Sequence, residues 1–193
     1  MIIIFDTETN GLPRNWGAPA SDTGNWPRMA QLAWQHYAED GRKLAEHNYI
    51  IKPHNWEMPE EVAAINGITT ERAMKEGVPL EYALKMFELS MTHSETLVAH
   101  NIAFDEKIVG AEFIRSDLLG YERMMDMVRI CTMHGTTDFC AIQGPRGKKW
   151  PKLIELHEKL FGNGFEGAHD ALVDVQALAK CYFELKKLGI LGA

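Results

Sequence analysis

The chain opens on Ile2-Ile3-Ile4-Phe5, a continuous β-branched and apolar run of the kind found in strands buried on both faces. Arg28 to Tyr37 and Lys43 to Lys52 read as two further strands, and Asp40-Gly41 between them is a hairpin signal. Pro59 opens a short helix and Gly67 closes it; Gly77 and Pro79 then punctuate two more helical stretches. Thr96 to Ala99 is a short apolar strand, followed by a helix from Ala103 to Ile114, and Val128 to Cys131 carries a weaker strand pattern. Lys152 to Phe161 reads as a helix stopped by Gly162, and the last helix runs from Asp170 to Leu188 with Gly189 in its C′ position. Hairpin strands first, then strands alternating with helices, predict an α/β protein with a mixed sheet flanked by helices. No repeat, low-complexity tract or linker interrupts this order, so one domain over residues 1–193 is expected.

Composition changes the picture little. With 46% hydrophobic and 24% charged residues the chain reads as an ordinary globular protein, long enough for one substantial core. No apolar run approaches the ~20 residues of a membrane span, and the opening segment is too short and lacks the basic leader of a signal peptide. Cys131, Cys140 and Cys181 have no CxxC spacing, which argues against a disulfide framework or a zinc site. A cytoplasmic protein without membrane contact is the expectation. The net charge of −7 counts against a broad basic face for nucleic acid. It does not count against an enzyme gripping one strand end, because bound cations supply positive charge locally.

The candidate chemistry lies in acids set on apolar surfaces. In Phe5-Asp6-Thr7-Glu8-Thr9-Asn10-Gly11-Leu12, the strand period puts Asp6 and Glu8 on one face, in line with Ile2 and Ile4. Two like charges at the end of a buried strand repel and lose hydration, and an oxygen-ligated Mg²⁺ or Mn²⁺ would relieve both penalties. The alternative, a strand that ends at Asp6 with both acids solvated, stays open on this segment alone. Asp174 sits within the apolar stripe of the last helix, and its helical neighbours Asp170, Ala171, Ala177 and Leu178 include no base. Asp105 repeats the pattern among Asn101, Ile102, Ile108 and Val109, just after a strand-to-helix passage where open α/β sheets place their sites. Three such acid positions together favour a metal centre. His169, at the start of the helix that carries Asp174, is placed to approach it and take a proton; the other histidines are expected to be surface caps.

The segments Asp6 to Leu12, Val98-Ala99-His100-Asn101-Ile102-Ala103-Phe104-Asp105 and Ala168-His169-Asp170-Ala171-Leu172-Val173-Asp174 resemble, in order and spacing, the three motifs of the DnaQ-like, DEDDh 3′→5′ exonuclease family. The resemblance covers nearly the whole chain. It implies an RNase H-like fold with a central five-stranded mixed sheet, and two Mg²⁺ or Mn²⁺ ions held by Asp6, Glu8, Asp105 and Asp174. By the same analogy Asp6 bridges both ions, Glu8 and Asp174 serve the ion that activates water, and Asp105 assists the second, directly or through water. His169 is the implied general base, suited to the task because histidine titrates near working pH. The implied reaction is hydrolysis that releases nucleoside 5′-monophosphates from a nucleic-acid 3′ end, with single-stranded DNA favoured.

Thr7, Thr9, Leu12, Asn101 and Phe104 are then the residues expected around the terminal nucleotide, with Leu12 as a wedge beneath its base. For Leu12 and Phe104 a core position is the alternative. Cys131-Thr132 stands where many relatives have Asp-Thr, a position that ligates no metal. Two segments lie outside the motifs: Pro13 to Pro27, with Trp16 and Trp26, and the basic run Gly144 to Trp150, with Arg146, Lys148 and Lys149. They are read as a substrate rim, aromatics stacking on bases and cations tracking phosphates; loops whose tryptophans cap the core are the alternative. Rival functions are an RNA trimmer resembling RNase T or oligoribonuclease, a non-catalytic polymerase-associated module, and a phosphatase acting on nucleotides. A DNA polymerase or repair partner is compatible with the resemblance, although the chain stops soon after its last helix, which favours a free-standing nuclease.

Overall fold

A computed structural model describes residues 1–191. Its centre is a five-stranded sheet built from β1 (Ile2–Thr9), β2 (Met29–Tyr37), β3 (Lys43–Ile50), β4 (Thr96–Ala99) and β5 (Val128–Cys131), in the order β3-β2-β1-β4-β5. β1 to β3 are antiparallel neighbours, whereas β1, β4 and β5 run parallel, so the sheet is mixed, as the resemblance implied. Between β3 and β4 lie α1 (Glu60–Asn66), α2 (Thr70–Glu76) and α3 (Leu80–Met91); α4 (Ile102–Arg115) and α5 (Gly120–Asp126) join β4 to β5. After β5 come α6 (Thr132–Gly135), α7 (Thr137–Cys140), a small hairpin of β6 (Gln143–Gly144) and β7 (Gly147–Lys148), α8 (Leu153–Phe161) and α9 (Ala171–Lys187).

The unbroken apolar run of β1 follows from its central place. Ile3 and Phe5 face a cluster with Phe87 of α3 and Ile108, Val109 and Phe113 of α4, while Ile2 and Ile4 face Val175, Leu178 and Tyr182 of α9. Each such fully buried side chain stabilises by roughly 1.5–3 kcal/mol, so neither face has room for a polar alternation. The helix stops fall where the glycines foretold. Gly67 (φ +71°) and Gly162 (φ +79°) adopt left-handed backbone and donate their N–H groups to Ala63 and Glu158 carbonyls. β3 ends two residues early; Ile51 keeps the register of the β2 ladder by donating to the Ala30 carbonyl, and on its other side it bridges Val78. The sequence reading did not foresee α5, α6, α7 or the β6–β7 hairpin: the last three are too short for a hydrophobic period to emerge, and α5, as long as α1 and α2, lacks the glycine stop that marked those two.

The segment from Pro13 to Pro27 corrects an expectation. Trp26 is only 3% exposed and donates its indole N–H to the Pro19 carbonyl at 2.9 Å, with Ala18 and Ala20 buried beside it. Trp26 therefore caps the core and offers no face to a base. The segment is locked onto α4 by charge: buried Glu112 accepts from Arg28 Nε at 2.9 Å and from the Met29 N–H at 3.0 Å, and it forms an ion pair with Arg115 at 3.0 Å. Arg115 in turn donates to the Thr23 and Trp26 carbonyls. A buried carboxylate with two guanidinium partners is compensated, and removal of one partner would leave an expensive orphan charge.

Candidate active site

The acids meet at the C-terminal half of β1. Asp6 and Glu8 continue the face of Ile2 and Ile4, toward α9, while Thr7 between them points to the α4 side with Ile3 and Phe5. There the Thr7 hydroxyl (2.7 Å) and N–H (3.1 Å) both donate to Asp105 Oδ1, so Asp105, in the first turn of α4, is drawn to the strand end. Asp174, in the first turn of α9, accepts from the His169 N–H at 3.0 Å. One ligand atom from each of Glu8, His169 and Asp174 lies within 4.8 Å of the others. Among the described residues, none of Asp6, Glu8, Asp105 and Asp174 makes an ion pair with lysine or arginine.

Electrostatics show the cost. Burial, then the charges of Asp105, Asp174 and Glu8, holds Asp6 well above the ordinary carboxylate range. Burial, then Asp174 and Asp105, pushes Glu8 up to about 8, against a hydrogen bond from Asn66. Asp105 rises to about 7 through burial, with the two Thr7 bonds pulling it down. Asp174 is raised by burial, with the His169 N–H and side chain opposing. Clustered acids that resist ionisation for lack of positive charge, with an oxygen-rich donor set, fit divalent cations of the Mg²⁺ or Mn²⁺ type.

Left-handed backbone marks both helix starts that feed the site. Asn101 has φ +75° directly before α4, and His169 has φ +72° just before Asp170, the N-cap of α9. Such conformations are costly for non-glycine residues and persist where surrounding contacts impose them. At α9 the contacts are visible. Asp170 caps the Leu172 and Val173 N–H groups, and buried Gln31 of β2 accepts from the Ala171 N–H at 3.2 Å while donating to Asp170 at 3.3 Å. Gln31 thus fixes the start of α9, and with it the side from which His169 and Asp174 approach. Sequence reasoning missed it; β2 carries two buried glutamines, Gln31 and Gln35, and no local pattern sets the first apart.

The expected substrate residues divide. Leu12 is 73% exposed, so it is free of the core. Phe104 is half-buried, with the exposed Trp16 ring 5.6 Å away and Trp26 edge-on at 6.4 Å. Thr7 is committed to Asp105, and the Thr9 hydroxyl to the Gly11 carbonyl at 2.7 Å, so both shape the backbone of the strand end. Asn101, partly exposed, makes no side-chain cap bond to α4. Arg146 and Lys148 project from the β6–β7 hairpin and its exit; Lys148 pairs with Asp138 at 2.8 Å and Lys149 with Glu155, which tempers two of the three expected phosphate contacts.

The prediction that all other histidines are surface caps fails at His100. Its Nε2 lies 2.9 Å from the Pro151 carbonyl and its Nδ1 3.0 Å from the Thr132 hydroxyl. Burial pushes it down to about 4, so it is neutral at pH 7. It lines a cavity of about 500 Å³ that also borders Asp6, His169 and Asp174. Its position in Val98-Ala99-His100-Asn101, directly after a buried strand, was the overlooked signal.

Comparison with known proteins agrees with this geometry. The RNase_T family model, described as exonuclease, matches residues 3–182. A zinc-bound complex of E. coli exonuclease I with single-stranded DNA superposes with a TM-score of 0.74 at 22% identity, over 96% of this chain and 40% of that one. E. coli exonuclease I with a dA16 oligonucleotide gives 0.76 at 20% identity, over 96% and 40%. The dT13 complex gives 0.76 at 22%, over 97% and 41%. The chain thus spans about two fifths of the length of those structures, and the likeness is one of fold. A comparison with curated protein sequences gives no match. Among the described residues no helix is long and apolar enough to cross a membrane.

Proposed function

This chain belongs to the exonuclease family, and from that premise we propose that it removes nucleotides one at a time from the 3′ end of a nucleic-acid strand, single-stranded DNA being favoured. Residues 1–193 act as one exonuclease domain in this reading. The observation that carries it is the convergence of Asp6, Glu8, Asp105 and Asp174 without a lysine or arginine partner, each held above its ordinary range. These four would hold two Mg²⁺ or Mn²⁺ ions. When bound, such ions neutralise charge on the attacking and leaving oxygens of an in-line phosphoryl displacement.

The chain's own residues do the rest. His169, exposed at the lip of the cleft and near Glu8 and Asp174, takes a proton from the attacking water. Water oxygen bonds to phosphorus as the bond to the 3′ oxygen breaks; that oxygen stays with the shortened strand and takes a proton from solvent to become its new 3′ hydroxyl, while a nucleoside 5′-monophosphate is freed. Leu12, Asn101 and Phe104 surround the terminal nucleoside, while Thr7 and Thr9 keep the strand end in shape. Arg146, Lys148 and Lys149 sit further along the strand and attract its phosphates, Arg146 most freely. The test incubates 5′-labelled single-stranded DNA, duplex DNA and RNA with the protein in Mg²⁺. A ladder that shortens from the 3′ end of single-stranded DNA is expected; intact DNA beside a shortened RNA would assign the protein to RNA trimming.

A further inference from the structure

The cavity beside the acids carries a further inference, one that rests on the exonuclease reading above. Asp6 and Asp174 border it, and its walls are largely apolar: Trp150, Leu153, Ile154 and Phe165. At about 500 Å³ it falls in the range of small-ligand sites. Its side of the sheet is informative. Trp16 and Phe104 lie with the α4 cluster on one face, whereas Leu153 packs with Ile2, Ile4 and α9 on the other. The carboxylates stand between, at the end of β1. A phosphodiester seated on them has a nucleoside at each end, so one nucleoside falls to each side. With the terminal nucleoside on the Phe104 side, its 5′ neighbour falls on the Trp150 side.

The wall of this cavity is held in place. A carbonyl only accepts, so the His100 Nε2–H donates to Pro151, and Nδ1 accepts from the Thr132 hydroxyl. Thr132 and Pro151 are both buried, which ties the chain at residue 151 to the end of β4. Trp150, one residue before this anchor, stays 62% exposed at the mouth, its ring 4.8 Å from that of His134. A large ring left open beside a buried anchor is available for stacking.

We propose that this cavity holds the base of the nucleotide immediately 5′ of the scissile bond, stacked on Trp150 and Phe165, with His100 as the positioning residue for its wall. Two neighbouring bases spread to opposite faces of the sheet cannot remain paired to a complementary strand. The site therefore selects single-stranded ends. Stacking of this kind tolerates any base.

A substitution cycle tests it. Oligo-dT strands, intact or lacking the base at the penultimate or the terminal position, are compared on the wild type, Trp150→Ala and Trp150→Phe. Both kcat/KM in Mg²⁺ and equilibrium binding of 5′-labelled strands are measured. Loss of the penultimate base should weaken the wild type by about tenfold, the scale of one stacked base. Trp150→Ala should reduce that difference to under about twofold, and Trp150→Phe should restore most of it. A penultimate-base effect undiminished in Trp150→Ala overturns the proposal. So does a Trp150 effect confined to the terminal base, which would place the released nucleotide in the cavity. Absence of hydrolysis by the wild type would overturn the exonuclease reading alone, because the binding cycle still decides the subsite.

Discussion

Thr7 and Asp105, 98 positions apart, are joined twice: Asp105 Oδ1 accepts from the Thr7 hydroxyl at 2.7 Å and from its N–H at 3.1 Å. The residue between Asp6 and Glu8 thus fastens the third acid to the strand that carries the first two. Both bonds favour the ionised form of Asp105, which burial pushes to about 7. Thr7→Val keeps the volume and the N–H but loses the hydroxyl. A hydrogen bond to a charged group contributes roughly 1.5–3 kcal/mol, so kcat/KM at pH 7 should fall about tenfold or more. The acid limb of the pH–rate profile should move upward by about one unit. An unmoved limb would mean that Asp105 is ionised without this bond.

The raised acids also predict how stability depends on pH without metal. Glu8 goes from an ordinary 4.5 to about 8 and Asp105 from 3.8 to about 7, so the folded state binds protons more tightly than the unfolded one. Their contribution to stability is complete below about pH 4 and is lost as pH rises through 7 and 8. In EDTA, Tm should fall by roughly 5 °C or more between about pH 5 and pH 8.5. Mg²⁺ should recover it, most at the upper end.

Removal of one charge should relieve the same repulsion. Asp6→Asn should raise the metal-free Tm near pH 8, flatten its pH dependence, and abolish turnover. Substantial hydrolysis by this variant in Mg²⁺ would break the metal assignment.

His169→Gln tests the base. We expect kcat to drop by about 10²-fold with the Kd for single-stranded DNA nearly unchanged. Wild-type-like kcat in the Gln variant would hand the proton to another group.

The two tryptophans of the Pro13–Pro27 segment should part company. Trp26→Ala opens a cavity in the core and should cost about 3–5 kcal/mol, read as a lower Cm in urea. Trp16→Ala and Leu12→Ala, at exposed positions, should leave Cm nearly unchanged and raise KM. A large loss of stability in Leu12→Ala would make it a structural residue.

The sequence by itself determined the features that repeat within a few residues. A period of two put Asp6 and Glu8 on one face, and an apolar stripe of helical period made Asp174 conspicuous. Gly67 and Gly162 foretold left-handed helix ends. Such signals are local, because the backbone geometry that produces them is local. What stands across from a residue is not. Only the tertiary structure gave Asp105 its two donors from Thr7, Gln31 its place under α9, and His100 its anchor on Pro151. It also buried Trp26 and exposed Trp16, although both sit in the same polar, glycine-rich segment. The reason is physical: desolvation, which sets both the burial of a ring and the proton affinity of an acid, depends on everything packed around a group, and those neighbours come from distant parts of the chain.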